Sequence, residues 1–169
     1  MGATMEEENR EMIEFMLDNA VLEEKMGKWK QKEEDVVLFM DFMSALIRRS
    51  REDGGLIISI KSKDVPIGAE NIEIFRKEKK GDVNIVAGEN NRRFAMVFTS
   101  RKRFEKCDDT SGFVMFIDEL FAFLEAREEI DGVIMNYKEE DVVFSKEMLR
   151  VFVDLLDYKG NIEGKIGNP

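Results

Sequence analysis

Histidine is missing from the 169-residue chain altogether, and cysteine occurs once, at Cys107. Without imidazole there is no Ser-His-Asp or Cys-His arrangement, no His-ligated zinc site, and no side chain that ordinarily exchanges protons near neutral pH. A lone thiol makes neither an intrachain disulfide nor a Cys₃ or Cys₄ metal site, so nothing in the cysteine count points to an oxidising compartment. Proline is almost absent (2) and glycine sparse (12), which excludes collagen-like and low-complexity character. Neither a phosphate-binding Walker loop nor a dinucleotide glycine fingerprint occurs, and Gly54-Gly55 is a helix stop. No apolar run approaches the ~20 residues needed to span a bilayer. The opening MGATMEEENREMIEFM carries acids where a signal peptide carries Lys or Arg, and Glu6 stands where a myristoylation start needs Ser or Thr. These features predict a cytoplasmic protein without a cofactor.

What is present is globular: 43% hydrophobic and 37% charged residues in a chain of single-domain size. A net charge of -10 is divided unevenly, with -6 over 1–35, +5 over 36–106 and -9 over 107–169. The overall sign repels nucleic acid and anionic lipid at long range, while the middle third carries local basic clusters.

Helical spacing recurs in four places. Ile13, Met16, Leu17, Ala20 and Val21 form one stripe, and Val36, Phe39, Met40, Met43 and Ile47 a second. The second follows Glu33, Glu34 and Asp35 and ends on Arg48, Arg49 and Arg51, placements the helix dipole favours at each end. Leu120, Phe121 and Leu124 after Asp118 give a third helix; Leu149, Phe152, Val153 and Leu156 give a fourth, ending by Gly160. Ser100 is a candidate N-cap for one further turn. Strand-like segments lie between: 56–60, 71–75, 83–86, 94–98, 113–117, 132–136 and 141–144. Turn signals at 80–82 and 88–91 predict an antiparallel meander over 71–98, and a hairpin joins the last two strands. Strands grouped in mid-chain predict an α+β domain with a mixed, largely antiparallel sheet of about five to seven strands packed with helices. The expected boundaries are an acidic helix and connector over 1–34, the domain over 35–156 and a tail over 157–169.

Four features invite a chemical reading. Cys107 stands near Lys102, Arg103 and Lys106, but a nucleophilic thiol lacks a histidine partner here, and a thiol without a role is the expectation. Residues 107–118 imitate a calcium loop yet begin on Cys107 instead of an acid and carry Met115 at a ligand position, so the match is false. The acids at 33–35, Asp118-Glu119, Glu125, Glu128-Glu129, Asp131 and 139–141 sit at expected helix ends and turns; the expectation is solvated surface, with a carboxylate and divalent-metal enzyme as the alternative. Bases gather at Arg48-Arg49-Arg51, at 76–80, and most densely at Arg92, Arg93, Arg101, Lys102, Arg103 and Lys106. With Thr99, Ser100 and the single Trp29, this last group forms the candidate interaction surface, for a protein partner or a small anionic ligand; RNA binding is the alternative.

Residues VFTSRKRF (97–104), FVMFIDELFAFL (113–124), DGVIMN (131–136) and DVVFSKEMLRVF (141–152) follow one another in an order that resembles the N-terminal domain of the SseB (enhanced serine sensitivity) family. The likeness covers 35–156, most densely 94–152, with LIISIKSKDVP (56–66) similar to an upstream family strand. Tyr137 stands where the family commonly has proline. The resemblance implies an α+β fold and carries no catalytic residues, so the expected role is a non-catalytic interaction or ligand-binding module.

Overall fold

A computed structural model describes residues 5–61, 73–74, 83–107 and 111–167. The predicted turn at 80–82, the basic cluster at 76–80 and positions 108–110 of the calcium-loop imitation lie outside them. The fold is α+β, a single domain built on one mixed sheet. Helices α1 (Met5–Met16), α2 (Ala20–Gln31) and α3 (Val36–Arg51) precede β1 (Gly55–Ile60); β2 (Glu73–Ile74), β3 (Ile85–Ala87) and β4 (Arg93–Phe98) follow. Then come α4 (Arg101–Glu105), β5 (Ser111–Phe116), α5 (Ile117–Glu125), β6 (Gly132–Met135), β7 (Val142–Ser145) and α6 (Lys146–Gly167). The sheet order is β2-β5-β1-β4-β6-β7. β4 is antiparallel to β1 and parallel to β6, and β3 pairs with its amino-terminal half.

Alternation along the strands sends apolar side chains to both faces, as period-2 geometry requires. Leu56, Ile58, Val97, Phe113, Met115, Val133 and Phe144 face a layer made by α2, α3, α5 and α6, whose Leu22, Met26, Phe42, Leu46, Phe121 and Phe152 are buried among them. Ile57, Met96, Phe98, Val114 and Ile134 turn the other way, beneath Ile13 and Met16 of α1 and Phe104 of α4. Cys107 is buried in this second cluster. Each large apolar side chain taken fully out of water contributes about 1.5–3 kcal/mol before chain entropy is counted. Among the described residues no helix is long and apolar enough to cross a membrane.

Four expectations need correction. The first predicted helix is two: it breaks at Leu17–Asn19, where Asn19 is buried and its Nδ2 donates to the Gly55 and Thr99 carbonyls, both at 2.9 Å. Its Oδ1 accepts from Arg49 Nε at 3.0 Å, and Arg49 Nη2 donates to the Phe15 and Met16 carbonyls left open at the end of α1. A stripe continuous across the break was therefore misleading, and Val21 is exposed. On α3 the buried positions are Phe42 and Leu46, while Val36 and Met40 face outward. That helix is apolar on more than one side, so its stripe does not fix which side packs. Finally, the meander holds for β3 and β4 only; β2 pairs parallel with β5, across the sheet from β3. The last helix also runs past Gly160, to Gly167.

α3 has a defined start and stop. Asp35 Oδ1 accepts from the Val37 and Leu38 amides at 2.9 and 3.2 Å. At the other end Asp53 takes φ 61°, the Asp53 amide donates to Ser50 O at 3.3 Å and the Gly54 amide to Arg49 O at 2.7 Å. This is a Schellman closure. A Cβ on Gly54 would lie 2.6 Å from the Arg49 carbonyl, so glycine is required there.

Candidate functional site

The parallel pairing of β4 and β6 brings two carboxyl ends side by side, the position at which sheets with parallel strands commonly receive ligands. Thr99 leaves one strand and Asn136 the other; both are completely buried. Asn136 Oδ1 accepts from the Thr99 amide at 3.0 Å and its hydroxyl at 3.3 Å, and Asn136 Nδ2 donates back to that hydroxyl at 3.0 Å. The Asn136 amide donates to Val97 O at 2.9 Å, extending the ladder by one residue.

Beyond it the chain winds around a single acceptor. The Asn136 carbonyl receives the amides of Glu139, Glu140 and Asp141 at 3.1, 3.0 and 3.3 Å. Asn136, Lys138 and Asp141 all have positive φ (56°, 74° and 50°). Asn tolerates that region; Lys and Asp hold it at a cost on the order of 1 kcal/mol each. Lys138 is held by its amide donating to Asp141 Oδ1 at 2.9 Å. The tight loop folds Glu139 and Glu140 back over the strand ends.

α4 approaches from the other strand. Ser100 Oγ caps it by accepting from the Arg103 amide at 3.3 Å. Arg103 then meets three carboxylates: its Nε donates to Glu23 Oε2 at 2.8 Å, and its Nη1 to Glu139 Oε2 at 2.6 Å and to Glu140 Oε1. Lys106 adds an ion pair to Glu139. Burial works against the Arg103 charge, but the Glu23 hydrogen bond and the surrounding carboxylates more than offset it and hold the guanidinium above its ordinary range. Glu139 is held below the ordinary carboxylate range, chiefly by its hydrogen bond to Lys106. Glu140 shifts the opposite way: burial dominates over the Arg103 attraction and raises it. Its Oε2 is buried and has no hydrogen-bond partner.

Helix α2 forms the facing wall. An open cleft of about 320 Å³ is lined by Glu23, Gly27, Lys30, Gln31, Arg103, Glu139 and Glu140. Gly27 sits inside a helix, where glycine costs roughly 0.5–1 kcal/mol relative to alanine. No atom lies within 4 Å of where its Cβ would be, so no close approach demands it; its effect is to leave the cleft open.

Of the candidate surface, Thr99, Ser100, Arg101, Lys102, Arg103 and Lys106 gather at this end of β4. Thr99 and Ser100 serve the scaffold, one bonded to Asn136 and the other capping α4. Lys102 is exposed, and Arg101 is half-buried with an unpartnered Nε. Arg92 and Arg93 lie at the opposite end of the strand, about 17–20 Å away at the rise of a six-residue strand, where the Arg93 amide donates to Asp131 Oδ2. Trp29 stacks on Phe42 (5.6 Å between centroids, 15° between planes) and donates from Nε1 to Glu33 O at 3.2 Å, so it belongs to the edge of the core and not to the cleft lining.

Sequence reasoning missed Glu23, Gly27, Asn136, Glu139 and Glu140. The acids of 139–141 were expected on solvated surface, yet Glu140 is drawn inward by the Asn136 carbonyl and Arg103. Glu23 and Arg103 are 80 residues apart, a pairing no local pattern signals. Asn136 closes the DGVIMN motif and was within reach of the reading. Among the described residues no group of three or more His, Cys, Asp or Glu side chains is placed to hold a metal ion. The three glutamates of the cleft converge on a guanidinium instead. Compared with known proteins, the chain matches no family model, no curated protein and no solved structure.

Proposed function

We propose that the protein is a non-catalytic interaction module whose cleft at the carboxyl ends of β4 and β6 receives a cationic side chain, lysine or arginine, from a protein partner. The observation that carries this reading is Glu140: a carboxylate held above its ordinary range by burial, with one oxygen left without a donor, in the wall of an open cleft. A buried acceptor without a partner costs about 1–3 kcal/mol, and a turn of the Glu140 side chain that brings this oxygen into the cleft lets an entering ammonium or guanidinium recover that cost through a charge-assisted hydrogen bond. Of the residues lining the cleft, three are acids (Glu23, Glu139 and Glu140) and two are bases (Lys30 and Arg103), and Lys30 is paired with Glu33. Within the cleft an anionic ligand, the polarity expected from the basic residues alone, is disfavoured because Arg103 and neighbouring Lys106 are already paired, while Arg101 and Lys102 lie outside its lining. The resemblance of residues 94–152 to the SseB N-terminal domain forms part of the same proposal, and it too assigns no catalytic group.

Titration calorimetry with an arginine-rich, a lysine-rich and a glutamate-rich peptide tests the reading. A basic peptide binds, and Glu140→Gln or Gly27→Leu, which fills the cleft, weakens it by about tenfold or more. Glu119→Gln, an exposed acid away from the cleft, leaves binding unchanged and controls for attraction to a protein of net charge -10. Preference for the acidic peptide, or equal loss in all three variants, defeats the proposal.

A further inference from the structure

A second surface is carried by observations independent of the cleft. The outward side of α3 exposes Val36, Val37 and Met40 at 70%, 68% and 57%, an apolar patch covering the first turns of the helix. Its carboxyl half is concave instead: an open hollow of about 440 Å³ is lined by Ser44, Ile47, Arg48, Arg51 and Glu52. The charges are divided in the same direction. Glu33 and Glu34 precede the helix and are exposed, while Arg48 and Arg51 stand at its far end.

Protrusion and acid at one end, hollow and base at the other, make a surface complementary to itself when reversed. We infer that this face is covered by a second copy of the chain, with the two α3 helices antiparallel across a two-fold axis near Met40 and Ser44. In that arrangement Met40 of one copy enters the hollow beside Ser44 of the other, Val37 meets Ile47, and Val36 lies along the aliphatic stem of Arg48. Glu34 comes within a helical turn of Arg48 of the second copy, once at each end, which is the repetition an isologous contact imposes. Antiparallel packing also opposes the two helix dipoles. Ser44, small and exposed, permits the close approach. One helix per copy supplies an interface at the low end of the specific range, so the dimer is concentration-dependent and not obligate.

Sedimentation velocity of the full chain from about 1 to about 500 µM reads the state directly, in the range where small interfaces exchange. The expected result is a monomer–dimer equilibrium that Met40→Glu abolishes; circular dichroism confirms that this exposed substitution leaves the fold intact. Charge reversal then fixes the geometry. Glu34→Arg alone and Arg48→Glu alone each weaken self-association through like charges at both ends. Mixing the two variants in equal amounts restores a dimer, because every cross-contact is then Arg against Glu. A chain monomeric throughout, which would leave the face to a different protein, overturns the inference. So does a dimer indifferent to Met40→Glu, or a mixture that associates no better than its parts.

Discussion

The two ends of β4 use the same chemical vocabulary to different effect. At the amino end Arg93 and Asp131 stand 3.9 Å apart, 49% and 43% exposed, and the Asp131 carboxylate also accepts the Arg93 amide. At the carboxyl end Arg103 and Glu140 are 22% and 13% exposed and belong to a cluster resting on the buried Thr99–Asn136 pair. Water screens the first pair and makes it worth about 0–1 kcal/mol. It is largely excluded from the second, where each charge depends on its neighbours and an unmatched atom is costly. A charged pair therefore reports on function only through its surroundings, and only the carboxyl end combines desolvation, a cleft and an unpartnered oxygen.

The contrast is broken most severely at Asn136. Asn136→Ala leaves the buried Thr99 amide without an acceptor and puts a side chain poorly suited to φ 56° at the turn. The expected loss is about 2–4 kcal/mol, read by chemical denaturation. Asn136→Gly relieves the backbone but not the amide and falls between the two; equality of Gly and Asn would show that the side-chain bonds contribute nothing.

Glu140 sharpens the comparison through pH. Its carboxyl titrates above the ordinary 4.5 in the folded protein, so between 4.5 and that raised value the folded state binds a proton the unfolded chain has released. Stability from this group is greatest below pH 4.5 and falls as pH rises through the window. Glu140→Gln removes the fall, so its melting temperature gains on the parent from pH 4.5 toward neutrality. Glu139, shifted downward, contributes in the opposite sense: its stabilisation is present above 4.5 and is lost as pH drops through its lowered value. A Glu140→Gln variant that runs parallel to the parent across this range contradicts the assignment. The smallest effect belongs to the amino end, where Arg93→Ala stays within about 0.5 kcal/mol of the parent in denaturation.

The strands were legible because each is short, β-branched or aromatic, and bounded by turn residues; the hairpin at β6 and β7 and the cap at Ser100 follow from local chemistry alone. Helix faces were less so. α3 carries apolar residues around most of its first two turns, and only the packing of Phe42 on Trp29 and Phe144 selects the buried side. The break at Asn19 had no Gly or Pro to announce it, since its cause is a side chain bonded to strand ends 36 and 80 residues away. The site was half readable: a basic cluster after β4 was visible, but not that three glutamates from α2 and the 136–141 loop neutralise it. Long-range polar pairing leaves no periodic trace in a sequence.

Carbon-13 carboxyl titration of Glu140, with and without a saturating arginine-rich peptide, bears most directly on the proposed role of the cleft. The free protein should show Glu140 titrating above 4.5, and bound peptide should pull that value down as a cation arrives at its empty oxygen. A Glu140 that titrates at or below 4.5 in the free protein, or that peptide leaves unmoved, would contradict it.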